Sequence, residues 1–253
     1  MVQDPFFTRF FTDTGWDAIA AYHVELQSRL PQAGRVLDLG CGSNAQLAPY
    51  RTPRREVWGV DFHPHPRLEH GAWFRSLAPD GGIPFPARTF DVVACSWVLE
   101  HVAAPARFLH EVSRVLRPGG CLVALTPHGV HYAACMIRLL DLLPHSITQG
   151  LVRLLYGRPQ HDTFPTQYRL NTLAQLRRAA RAAGMGITAV ARYPNQGYFS
   201  FWEPLRRAAI VTDWALDRLR PGLGRLYLVA TLHKGAAAAR QPGVSGGGLD
   251  KVA

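Results

Sequence analysis

The chain has 253 residues, 47% of them hydrophobic and 10% aromatic, and a formal charge of +10. That apolar content excludes disorder for most of the chain, and the length suits one α/β domain with an insertion rather than two independent domains. The charge invites a nucleic-acid reading, but the 28 basic residues comprise only two lysines, Lys234 and Lys251, so the surplus reads as a compositional bias toward arginine and nucleic acid as an unlikely partner. Cys41, Cys95, Cys121 and Cys135 never form a C-x-x-C pair, which offers no metal site and no disulfide frame; buried free thiols in a reducing, cytoplasmic setting are expected. The amino terminus lacks the pattern of a signal peptide, and Val130 to Leu143, broken by Arg138 and Asp141, is too short to span a membrane.

Along the chain, Trp16 to Leu30 has helical character and ends at Pro31. Arg35 to Leu39 reads as a short buried strand running into the turn G-C-G-S-N, with a helix expected from Ala45. Val57 to Asp61 is a second strand ending on a carboxylate, Trp73 to Leu77 a weakly written third and Phe90 to Cys95 a fourth. Pro105 suits the first turn of a helix whose Phe108, Leu109, Val112, Val115 and Leu116 recur at spacings of three and four. A fifth strand, Cys121 to Leu125, follows the turn R-P-G-G. Residues 131–172 interrupt the alternation with two apolar, helical segments, His131 to Leu143 and Ile147 to Tyr156, which suit a cap over the strand ends. Asn171 or Thr172 then caps a helix closed by Gly184, and Ile187 to Tyr193 and Leu226 to Leu232 supply the last two strands. Residues 235–253 have little to bury and read as a flexible tail after a domain of residues 1–234. The alternation implies a doubly wound, mostly parallel, seven-stranded sheet that binds ligands at the carboxyl ends of its strands.

The first turn carries the chemistry. Gly40 and Gly42 let a ligand approach the backbone, and Asp61 lies where a ribose-binding carboxylate belongs, so the turn by itself suits any nucleoside cofactor, including a nicotinamide dinucleotide. Asp38, two residues before Gly40, disfavours a pyrophosphate there and complements the sulfonium and ammonium of S-adenosylmethionine.

The segments V-L-D-L-G-C-G, V-W-G-V-D, I-P-F-P-A-R-T-F-D-V-V-A-C-S-W-V-L-E-H-V and E-V-S-R-V-L-R-P-G-G, in this order over residues 35–126, resemble the class I S-adenosylmethionine-dependent methyltransferases, in the broad group that includes the ubiquinone and menaquinone biosynthesis enzymes. The resemblance implies a Rossmann-like domain in which Asp38, Gly40, Cys41 and Gly42 surround the methionine part of the cofactor. Asp61 would take the ribose hydroxyls, Phe62 would lie against the adenine, and Cys95 and Ser96 would line the approach to the methyl group. The adenine edge falls to Ser76 and Leu77 or to Asp80. Asn44 stands where the family often has a third glycine, and an altered but competent loop is expected from its tolerance of left-handed backbone.

On the acceptor side, His128 in L-T-P-H-G is the candidate for deprotonating or orienting an acceptor at neutral pH. Tyr168 and Arg169, in a segment similar to one found in a bacterial branch of the family, face the acceptor or fix the cap to the body. A small, partly apolar acceptor methylated on oxygen or nitrogen is the favoured reading. A nicotinamide-dependent oxidoreductase and a non-catalytic interaction protein with the same fold are the alternatives, and the mixture of Leu, Ile and Arg in residues 131–157 also suits peripheral membrane contact.

Overall fold

The computed structural model describes residues 4–12, 17–140, 166–195, 199 and 201–235. Seven strands form one sheet: β1 (Gly34–Leu39), β2 (Arg55–Asp61), β3 (Phe74–Ser76), β4 (Phe90–Ser96), β5 (Leu116–Pro127), β6 (Met185–Tyr193) and β7 (Tyr227–Lys234). Their spatial order is β3-β2-β1-β4-β5-β7-β6. The first five strands run parallel, and β7 lies antiparallel between β5 and β6. The sheet reverses its winding at β1 and β4, which places the first turn at the switch point.

Both faces of the sheet are covered, so its inner strands are near-continuous apolar runs. Leu37, Leu39, Val93, Cys95, Leu122 and Ala124 point to one core, while Val36, Val92, Ala94, Cys121, Val123 and Leu125 point to the other. Helix α2 (Ala18–Arg29), after the short α1 (Pro5–Thr8), brings Tyr22 and Leu26 to the second core. Helix α3 (Pro105–Val115) starts on its proline and buries Leu109, Val112 and Val115 in the first core, each contributing about 1.5–3 kcal/mol. Thr172 caps a later helix (Leu173–Ala182) through a reciprocal capping box with Gln175, and Gly184, at φ +67°, closes it. Arg177, Arg178 and Arg181 line its exposed face.

Three expectations need correction. The helix from Ala45 is absent: only a 3₁₀ turn, Ala48–Tyr50, follows the glycine turn, because Pro49 and Pro53 leave too few residues with free amide hydrogens to build a helix before β2. Cys135 is exposed, unlike the other three free cysteines. A helix of Glu203–Leu219 between β6 and β7 went unread, although Pro204 in its first turn and the buried Ile210 and Asp213 are ordinary helix signals. Of the cap, His131, helix α4 (Tyr132–Leu140) and residues 166–172 are described; residues 141–165, with the end of the first segment and all of the second, and the tail beyond Gly235 lie outside the described residues. The helices Leu173–Ala182 and Glu203–Leu219 are α5 and α6.

The F-D and R-P-G-G motifs meet at the amino edge of the sheet, opposite the first turn. Arg117 Nη1 donates to both oxygens of Asp91 at 2.7 and 2.9 Å, and Asp91 also accepts the Arg35 amide at 2.8 Å. Gly34 leaves room for that carboxylate: a Cβ there would stand 2.3 Å from Asp91 Oδ2. These residues clamp β1, β4 and β5 together and touch no ligand-binding turn. Asp91→Ala should therefore lower unfolding stability by about 1–3 kcal/mol in urea titrations while leaving cofactor affinity unchanged.

Candidate functional site

The site begins with strain in the turn after β1. Gly40, Gly42 and Asn44 adopt φ of +77°, +52° and +59°, so Asn44 does the work of a third glycine. The amides of Gly40 and Cys41 both donate to Val60 O, at 2.8 and 3.1 Å, which folds the turn back over β2. Gly59 is needed underneath, since a Cβ there would lie 2.5 Å from Asn44 Oδ1 and 2.7 Å from Cys41 Sγ. At Gly40 a Cβ would meet Val98 Cγ2 at 2.4 Å, whereas above Gly42 the space is open.

Two carboxylates face this turn. Asp38 is paired in register with Gly59 and Ala94, is 3% exposed, and keeps Oδ2 buried without a hydrogen-bond partner. Burial first, and the charge of Asp61 second, push its pKa up to about 7. Asp61 accepts the Gly42 amide at 3.0 Å on Oδ2 and the Phe62 amide at 2.8 Å on Oδ1, which fixes the carboxylate while leaving each oxygen a further lone pair. Burial pushes the Cys41 and Cys95 thiols up, so neither is a thiolate nucleophile.

The missing helix matters here. A helix amino terminus behind the turn would add partial positive charge suited to a phosphate. Without it the local field comes from Asp38 and Asp61, and the arrangement suits a ligand with a cationic centre at Asp38 and hydroxyls at Asp61.

The other cofactor candidates divide. Phe62 is 51% exposed and is not a core residue. Ser76 pairs with Asp61, and the Leu77 amide donates to Asp61 O at 2.8 Å, which brings this pair beside the turn. Asp80 instead is exposed and tied to Arg107 and the Gly82 amide. Cys95 points into the core. Ser96 Oγ donates to Gln46 Oε1 at 3.0 Å, and the next residue, Trp97, adopts φ +60° while its amide donates a hydrogen bond to Leu125 O at 2.9 Å. Such strain at a strand end accompanies functional sites, and sequence patterning carries no signal for it in a tryptophan.

Of the residues expected to face an acceptor, His128 is buried, and its Nδ1 has no hydrogen-bond partner. Burial, with Arg192 and His131 nearby, lowers its pKa to about 4, so it is neutral at physiological pH. Tyr168, buried at φ +50°, donates its amide to Glu100 O at 3.1 Å, and Arg169 Nη1 donates to Ala103 O at 2.8 Å. Both bonds tie residues 166–172 to the loop after β4. A buried chain missed in the sequence reinforces that tie: Asn171 Nδ2 donates to Thr126 Oγ1 at 2.7 Å, and Thr126 Oγ1 donates to Glu100 Oε2 at 2.9 Å. Burial raises the pKa of Glu100. Among the described residues no helix is long and apolar enough to cross a membrane.

Comparison with known proteins gives these features a setting. A family model described as "Methyltransferase domain" matches residues 37–124. The demethylmenaquinone methyltransferase of Thermus thermophilus is 31% identical over 157 residues, covering 55% of this chain and 71% of that protein. That of Deinococcus radiodurans is 36% identical over 123 residues, covering 45% of this chain and 49% of its own length, so the chain spans about half of this relative. A solved S-adenosylmethionine-dependent methyltransferase from Methanosarcina mazei superposes with a TM-score of 0.56 at 19% identity, covering 84% of this chain and 98% of the other, a likeness of fold.

Proposed function

This chain belongs to the class I S-adenosylmethionine-dependent methyltransferases, and on that premise we propose that it transfers a methyl group to a small, partly apolar acceptor of the quinone type. The observation that carries the reading is the unpartnered, buried Asp38 Oδ2 facing the same turn as Asp61. An uncompensated carboxylate is costly in a folded chain unless a ligand completes it. A methionine ammonium would do so, with Gly40, Cys41 and Gly42 giving the backbone approach and Ser96 bordering the methionine end. Asp61 would hold the ribose hydroxyls, and Phe62, Ser76 and Leu77 the adenine. The bound cofactor supplies a methyl on a sulfonium, whose transfer is an in-line displacement that needs alignment more than acid–base help.

The acceptor reading rests on the relatives named for demethylmenaquinone and on the apolar residues after β5. Tyr168 and Arg169 would border the acceptor. His128 would serve as a neutral hydrogen-bonding group, because a pKa near 4 makes it a weak base. His128→Ala should cut turnover about tenfold with S-adenosylhomocysteine affinity unchanged, and wild-type turnover should show no inflection near pH 6.5 from this residue. An inflection that vanishes in the variant would instead make His128 the base.

The function is tested by incubating the chain with methyl-labelled S-adenosylmethionine and a panel of demethylated quinones, phenols and amines, and locating the label by mass spectrometry and NMR. Label on a quinone or its quinol supports the proposal. Label confined to amines overturns the acceptor class, and binding without transfer to any acceptor in a cell extract overturns the enzyme.

A further inference from the structure

Strand β6 is antiparallel to β7, which is antiparallel to β5, so β5 and β6 end at the same edge of the sheet as the glycine turn. The segments leaving those two strands carry large apolar side chains in solvent: Val130, Met136 and Leu139 after β5, and Phe201 and Trp202 after β6, with Leu139 65% and Trp202 59% exposed. The two segments adjoin, because His131 and Tyr132 line one small cavity together with Phe199, whose ring lies 6.1 Å from that of Phe201. On α4 the inward residues are Ala133 and Ala134, and the outward face holds Cys135, Met136, Arg138 and Leu139. No acidic residue occurs between Gly129 and Leu140. Arg207, on the first turns of α6, is exposed, lies over the Phe6 ring and pairs with Glu203 at 2.7 Å, while Arg206 pairs with both Asp4 and Glu203.

We propose that this face docks on an anionic lipid surface, with Trp202, Phe201, Leu139 and Met136 entering the headgroup boundary and Arg138 meeting its phosphates. The inference extends the reading of a quinone-type acceptor, since the rim then surrounds the side from which an apolar acceptor would enter. Charge selects the occupant. A chain of +10 whose apolar rim carries Arg138 repels a second copy of itself and is drawn to a negative surface. Tryptophan and arginine beside aliphatic side chains are the mixture that settles at a bilayer interface.

The full chain is floated with vesicles of phosphatidylcholine containing about one-third phosphatidylglycerol, and with phosphatidylcholine alone. Binding should be at least about tenfold stronger to the anionic vesicles and weaken in high salt. Trp202→Ala combined with Leu139→Glu should reduce it by about tenfold or more, and Arg138→Glu by about fivefold, with S-adenosylhomocysteine affinity retained as the check on folding. Absence of binding, equal binding to both vesicles, or full binding by the Trp202/Leu139 variant overturns the proposal. So does concentration-dependent dimerisation in sedimentation that the same variant abolishes, which would assign the face to a second copy. Because the assay contains no acceptor, failure of the quinone reading leaves its result unaffected.

Discussion

Asp38→Asn should make the ligand-free chain more stable at pH 8 and nearly unable to bind S-adenosylhomocysteine. The sign follows from proton linkage. Asp38 ionises near pH 7 in the folded chain and near 3.8 when unfolded, so the folded state holds the extra proton between those values. Stability contributed by this group is therefore complete below about pH 4 and is lost as the pH rises through 7, a cost of at most about 4 kcal/mol. Asparagine has no charge to bury, so the variant should gain about 1–4 kcal/mol over wild type at pH 8, and the gain should shrink to little near pH 4. Ligand binding reverses the balance, because an ammonium beside Asp38 favours the ionised form. Wild-type affinity should fall as the pH drops below 7, by roughly tenfold per pH unit at the limit, and the variant should lose that dependence. Urea titrations and calorimetry at pH 5 and 8 check both halves. A variant that binds S-adenosylhomocysteine like wild type would take Asp38 out of the site.

Asp61→Ala should weaken the same ligand by about a hundredfold to ten-thousandfold, as expected for losing two hydrogen bonds to a charged acceptor at roughly 1.5–3 kcal/mol each. The fold should survive, because the two amides that the carboxylate accepts, of Gly42 and Phe62, lie in partly or fully exposed backbone that water can reach. Asp61→Asn, which keeps one acceptor oxygen, should fall between the two. NAD should raise the melting temperature of neither wild type nor variant, since Asp38 disfavours its pyrophosphate. An unchanged dissociation constant in Asp61→Ala, or stabilisation of wild type by NAD equal to that by S-adenosylhomocysteine, would contradict the assignment.

The central strands were legible because they are runs of residues buried on both faces, as in L-V-A-L of β5, and the turn was legible because glycine and asparagine at left-handed positions leave a local mark. Asp38 and Asp61 could be named from spacing alone, since β1 and β2 end side by side in any such sheet. What escaped depends on residues far apart in the chain. The Glu100, Thr126 and Asn171 chain joins three segments through bonds that span 26 and 45 positions, and nothing local distinguishes it from surface polarity. The role of Gly59 is invisible without knowing that Asn44 folds over it. The helix expected at Ala45 failed for a local reason: a helix is expected to follow the strand and glycine turn, but Pro49 and Pro53 interrupt the segment.

The place of β7 bears on how the chain is made. Residues 227–234 are among the last of the described chain to leave the ribosome, yet they fill an interior position, pairing with β5 over Cys121–Pro127 and with β6 over Met185–Tyr193. Until they emerge, β5 and β6 each present an open, strongly apolar edge, and the second half of the sheet cannot close. Translation that stalls before Lys234 should therefore yield aggregating product, and slow synthesis through α6 would prolong exposure of an unpaired β5 to other nascent chains.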